Sequence, residues 1–107
     1  MATVIWSKRA KTERRKLIVY GYEEFGQMTA IKFVNKLYDI TNILEKHPLI
    51  GFIEPSLKGR NGHTYRAYPV IGHIKLIYYY SSSTKTVRIA DIWDTCRKPE
   101  ALTNRIK

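Results

Sequence analysis

The stretch "RAYPVIGHIKLIYYY", residues 66–80, decides how this chain is read. Turn formers Pro69 and Gly72 divide two runs in which side chains alternate in character, the period-two signature of an antiparallel strand pair. A four-residue loop from Pro69 to Gly72 sets Tyr68 opposite His73 and Arg66 opposite Lys75, with all four on one face. Beyond the polar "SSSTK" loop, a third run from Thr86 to Trp93 continues the sheet. Pairing Tyr80 with Val87 places Arg88 opposite Tyr79 on the same face. Ile74, Leu76, Tyr78, Val87 and Ile89 then line the other. A one-residue slip would flip one strand relative to its neighbour. The alternation fails at Asp91, where a bulge or the strand's end is expected.

Upstream, "ATVIW" is a short β-branched and aromatic strand, and Ser7 directly after it is a good N-cap. From Lys8 to about Phe25, Ala10, Leu17, Tyr20, Gly21 and Phe25 recur at helical steps until Gly26 ends the helix. A second helix runs from about Met28 to Lys46, with the stripe Ala30, Phe33, Val34, Leu37, Ile40 and Leu44, and Pro48 forbids its continuation. The aromatic residues of these helices are expected in the core. A Pro- and Gly-punctuated loop, "HPLIGFIEPSLKGRNGH", leads to strands at about Thr64–Pro69, His73–Tyr80 and Thr86–Trp93. Pro99 opens a short C-terminal helix. The expectation is one α+β domain, residues 1–107, in which an N-terminal strand and a helical hairpin pack on an antiparallel four-stranded sheet of order β-α-α-β-β-β.

Composition narrows the function. The chain has 107 residues, enough for one hydrophobic core. It has no apolar run of membrane-spanning length and no signal-peptide core, so a cytoplasmic protein without membrane attachment is expected. Its single cysteine, Cys96, allows no internal disulfide and no zinc knuckle, and reads as a small buried or half-buried residue. Lys and Arg number 19 against 9 Asp and Glu, a net charge of +10, which suits polyanionic partners. No acidic residue lies between Glu54 and Asp91. Lys58, Arg60, Arg66, Lys75, Lys85, Arg88, His63 and His73 all fall in that gap, with five of the eight tyrosines.

Setting Arg66 opposite Lys75 costs a few tenths of a kcal/mol or more. An anion held between them would reverse the sign. Cations beside aromatic rings suit single-stranded RNA, and fixed cations also stabilise charge growing on phosphorus-bound oxygens. An acidic protein surface is the simpler occupant.

The element order, "VIWSKRA", "AIKFVNKLYDITNILEKHPLIG", "YRAY...HIKLIYYY" and "IADIWDTCRKPEAL" together resemble the RelE/ParE superfamily of type II toxins, over nearly the whole chain. The resemblance implies a growth-arrest or plasmid-stabilisation toxin held inactive by a cognate antitoxin with an acidic or amphipathic segment. RelE-like members cleave mRNA in the ribosomal A site without a metal or other cofactor, and ParE-like members poison DNA gyrase.

On the RelE-like pattern the catalytic positions fall on Arg66, Lys75 and Arg97, with Tyr68 where a lysine is usual and Lys75 where an arginine is usual. The family's C-terminal tyrosine is absent near Leu102 and Thr103. Lysine at 75 keeps charge but loses the bidentate guanidinium fork. Proton transfer would then fall to His73, or to His63 as second choice. Lys58, Arg60, Tyr68, Tyr79 and Arg88 would contact RNA or a protein partner. The basic, aromatic face points to mRNA cleavage with the ribosome and mRNA as partners. The long, even helical hairpin points instead to a gyrase poison, and a binding module that has lost toxicity is a third reading.

Overall fold

In a computed structural model, which describes residues 1–106, the strand β1 (Thr3–Trp6) leads into α1 (Lys8–Phe25), and Gly26 alone separates this helix from α2 (Gln27–Lys46). There follow β2 (Phe52–Ile53), a 3-10 turn at Pro55–Leu57, a second at Arg60–Gly62, β3 (Arg66–Ile71), β4 (Ile74–Ser81), β5 (Thr86–Asp94) and α3 (Pro99–Arg105). Ser7 caps α1: its hydroxyl accepts from the Ala10 N–H at 3.0 Å and donates to the Ala90 carbonyl at 2.9 Å. Such a cap contributes about 1 kcal/mol, and here it also ties the helix start to β5.

The sheet differs from the expected one. It has five strands in the order β1-β5-β4-β3-β2, with β1 parallel to β5 and every other pair antiparallel. The cause is β2, two residues long and without a periodicity to betray it. It adds one more reversal of chain direction after the helical hairpin, so β5 returns parallel to β1 instead of antiparallel.

The helices cover one face of the sheet. Phe33, Leu37, Ile40 and Leu44 of α2 pack on Leu76, Tyr78, Val87, Ile89 and Ile92. Val34 leaves the expected stripe and is exposed, and Tyr20 and Phe25 of α1 are likewise exposed, so most of the hairpin's aromatic residues lie outside the core. On the outer face, Leu102 and Ile106 cover a smaller cluster of Leu57, Tyr65, Ala67, Ile77 and Trp93.

Register is corrected at the first hairpin. The turn is the two-residue Gly72–His73, with Gly72 at φ 54°, and not the four-residue loop from Pro69 to Gly72. A tight hairpin favours positive φ, which Gly72 adopts without strain. The shorter turn alone would keep Arg66 and Lys75 on one face, but the register shifts by one more residue between the pairs Ile71–Ile74 and Pro69–Lys75, so Arg66 pairs with Tyr78, Tyr68 with Leu76 and Pro69 with Lys75. This puts Arg66 and Tyr68 on the helix-side face and leaves Lys75 on the outer one. At the second hairpin Tyr80 pairs with Val87 and Tyr79 with Arg88, as the alternation predicts. The register shifts between the pairs Ile77–Asp91 and Tyr78–Ile89, which is the bulge expected near Asp91.

Candidate functional site

The expected convergence of Arg66, Tyr68, His73 and Lys75 does not form. Arg66 donates to the carbonyls of Gly51 at 2.9 Å and Leu49 at 3.3 Å, bracing the loop after α2. Gly51 is packed so closely that a Cβ there would lie 2.7 Å from both the Ala67 carbonyl oxygen and the Tyr78 hydroxyl. The Gly51 N–H donates to that same hydroxyl at 2.8 Å. Tyr68 packs against the helix-side core. His73 is exposed in the hairpin turn.

Lys75 and Arg97 do share a pocket, of about 280 Å³, with Glu54, Ser56, Trp93 and Thr95 in its wall. Neither His63 nor His73 lines it. Lys75 is not a free cation there. Its ammonium is ion-paired and hydrogen-bonded to Glu54, a carboxylate only 5% exposed. Glu54 also accepts from the Ser56 hydroxyl at 3.0 Å and the Ser56 N–H at 3.3 Å. Burial by itself would push this carboxyl up, but the bonds from Lys75 and Ser56 and the Lys75 charge outweigh it and hold the group below its ordinary value. Glu54 is thus a buried carboxylate facing a half-buried ammonium. Arg97 lies over the Trp93 ring at 4.8 Å and, among the described residues, forms no ion pair.

The remaining cations are dispersed. Lys58 and Arg88 are exposed, Arg60 is half-buried, and none of the three is ion-paired among the described residues. Tyr79 stacks on His63, ring centroids 3.8 Å apart and planes within 9°. Cys96, expected at least half-buried, is exposed because it sits in the turn after β5. Desolvation and the neighbouring Asp94 carboxylate hold its thiol above the ordinary value, which opposes nucleophilic use. No group of His, Cys, Asp and Glu among the described residues is placed to hold a metal ion.

A second buried charge cluster escaped the sequence reading. Asp91, fully buried at the bulge, is ion-paired with Arg105 at 2.7 Å, and Arg105 reaches Glu13 of α1 at 3.1 Å. Burial pushes the Asp91 carboxyl up to about 6 despite the opposing Arg105 charge and the Ile92 N–H bond. Asp91's break in the alternation was its one sequence signal. Glu54 offered only its position at the edge of the acid-free segment.

A helical hairpin on one face of a five-stranded mixed sheet, with a short C-terminal helix on the other, defines a small α+β domain. Residues 4–99 match the family model described as "ParE toxin of type II toxin-antitoxin system, parDE". The chain belongs to that family and hence to the RelE/ParE superfamily of type II toxins. Among solved structures it is similar to one titled "Chromosomal ParDE TA system from P. aeruginosa", with a TM-score of 0.66 and 16% identity, covering 86% of this chain and 94% of that one. That likeness shows the shared fold. No curated protein matches the sequence. No helix among the described residues is long and apolar enough to cross a membrane.

Proposed function

We propose that this toxin arrests growth by binding its target, with DNA gyrase as that target, and not by cleaving mRNA. The Glu54–Lys75 pair carries this reading. A phosphate entering the pocket would meet a neutralised lysine and a buried carboxylate, and among the described residues only Arg97 would face it as an unpaired cation. Arg66 is occupied by backbone carbonyls on the other face of the sheet, and no histidine stands in the pocket to move a proton. Binding to a target enzyme requires neither a concentrated cation cluster nor an acid and base. The family's printed name and the long hairpin of α1 and α2 lend support in the same direction.

The partner of such a toxin is its antitoxin. With a net charge of +10, an acidic segment would complement this chain and bind more weakly as salt rises. The test is paired. Purified toxin with gyrase and supercoiled plasmid should accumulate gyrase-linked DNA breaks, while mRNA 5′ ends mapped after induction should show no enrichment at ribosomal A sites. A-site cuts without gyrase-linked breaks would reverse the assignment.

A further inference from the structure

The aromatic residues that the helical hairpin leaves outside the core gather at its closed end. Tyr20, Tyr22 and Phe25 of α1 and Met28 of α2 are each more than half exposed, and the Tyr20 and Phe25 rings meet edge-on with centroids 6.1 Å apart. Gly26 alone, at φ 92°, turns the chain between the two helices, so this end has no loop to order when a partner binds. Exposed aromatic and methionine side chains clustered on a rigid element have the composition of a protein-binding hot spot.

The charge around them is the reverse of the chain's. Residues 17–31 form its longest stretch without Lys, Arg or His, and the charges they carry are those of Glu23 and Glu24. Both residues are exposed and, among the described residues, neither is ion-paired. They stand in the last turn of α1, at the negative end of its dipole, where no basic residue answers them. Cations brought by a partner would.

We infer that the hairpin tip, formed by Tyr20, Tyr22, Glu23, Glu24, Phe25 and Met28, is the surface that seats the toxin on gyrase, at a patch where basic side chains surround an apolar socket. The inference rests on the gyrase reading above and adds where the contact is made: on the helical layer, across the sheet from Lys75 and its pocket. Charge selects this occupant. An enzyme that holds DNA carries a basic surface for the phosphates, and an acidic, aromatic tip complements it. The same two carboxylates repel nucleic acid, anionic lipid headgroups and an acidic antitoxin segment, each of which the rest of this basic chain attracts. A second copy of the chain offers cations too, but at +10 each the two molecules repel as wholes.

The test is biolayer interferometry of the purified full chain against gyrase holoenzyme without DNA, with gyrase-linked plasmid breaks scored in parallel and light scattering on the free toxin. Tyr22→Ala combined with Phe25→Ala should weaken binding by about 30-fold or more, the effect of removing a hot-spot side chain. Tyr22→Phe, which keeps the ring, should bind as the parent does. Glu23→Lys combined with Glu24→Lys should slow association by about tenfold or more. Breaks should fall in step with binding. These positions are exposed, and lysines suit the C-terminal end of α1, so lost binding beside parent-like circular dichroism and urea unfolding reports the contact and not the fold.

Tip variants that bind gyrase and produce breaks as the parent does overturn the tip and leave the gyrase reading standing. Parent protein that neither binds gyrase nor produces breaks removes that reading, and the tip's assignment with it. Variants with unaltered gyrase binding whose mass falls from dimer to monomer give the surface to a second copy of the chain, which also overturns the inference.

Discussion

Replacing Lys75 by Met isolates what holds the pocket together. The substitution keeps most of the aliphatic stem and removes the ammonium, leaving a Glu54 carboxylate that is 5% exposed with only the two Ser56 bonds. Stripping one partner from a fully buried ion pair costs about 3–5 kcal/mol. The Lys75 side chain keeps 18% exposure, and Ser56 still solvates one carboxylate oxygen, so about 2–3 kcal/mol is expected at neutral pH.

The sign with pH is the sharper test. In the parent the Glu54 carboxyl lies below its ordinary value of 4.5, so its stabilising contribution is present above that pH and is lost as pH falls through the folded value. Without Lys75, burial dominates and lifts the carboxyl above 4.5, so the contribution then grows as pH falls. Urea unfolding of the parent, Lys75→Met, Glu54→Gln and the double variant, at about pH 7.5 and about pH 4, gives a double-mutant cycle at each pH. The coupling should be about 2–3 kcal/mol at the higher pH and shrink at the lower. A coupling below about 0.5 kcal/mol, equal at both, would refute the claim that Glu54 neutralises Lys75.

Asp91→Asn should flatten a second pH dependence of opposite sign. A buried carboxyl raised from 3.8 to about 6 stabilises most below the unfolded value and loses that contribution as pH rises through 6, a change of about 3 kcal/mol, so the variant should match the parent near pH 4 and exceed it near pH 7.5 in urea melts. Gly51→Ala should destabilise by about 2 kcal/mol or more, since its Cβ meets the Ala67 backbone, which cannot yield; unchanged thermal unfolding would contradict the packing. Tyr78→Phe should cost about 1–3 kcal/mol by leaving the Gly51 N–H unpaired. Arg97→Ala should leave stability within about 0.5 kcal/mol, because the residue is exposed, and measurement of growth arrest alongside unfolding reports whether the pocket serves the target.

The helices, the four longer strands and the second hairpin's pairing were legible because each rests on local signals, whereas β2 was not. Ser7 starts α1, Gly26 divides the hairpin, and alternation from Ile74 to Ile89 names the residues that face the helices. The candidate site was less legible. Placing Arg66 opposite Lys75 required knowing whether the turn was Pro69–Gly72 or Gly72–His73, and both bring turn formers to the same stretch. The irregularity between Pro69 and Ile71, which no local pattern announces, moved Arg66 and Tyr68 through the sheet.

The sequence by itself determined an α+β domain with a helical hairpin, a basic segment free of acids from 55 to 90, and membership of a toxin superfamily, because periodicity, capping and charge are properties of neighbours along the chain. Tertiary structure decided the five-stranded mixed sheet and the Glu54–Lys75 and Asp91–Arg105 pairs. The two ion pairs join residues 21 and 14 positions apart and β1 meets β5 83 positions on, so they depend on strand register and on which carboxylate desolvation leaves beside which cation. Neither is written in any local pattern.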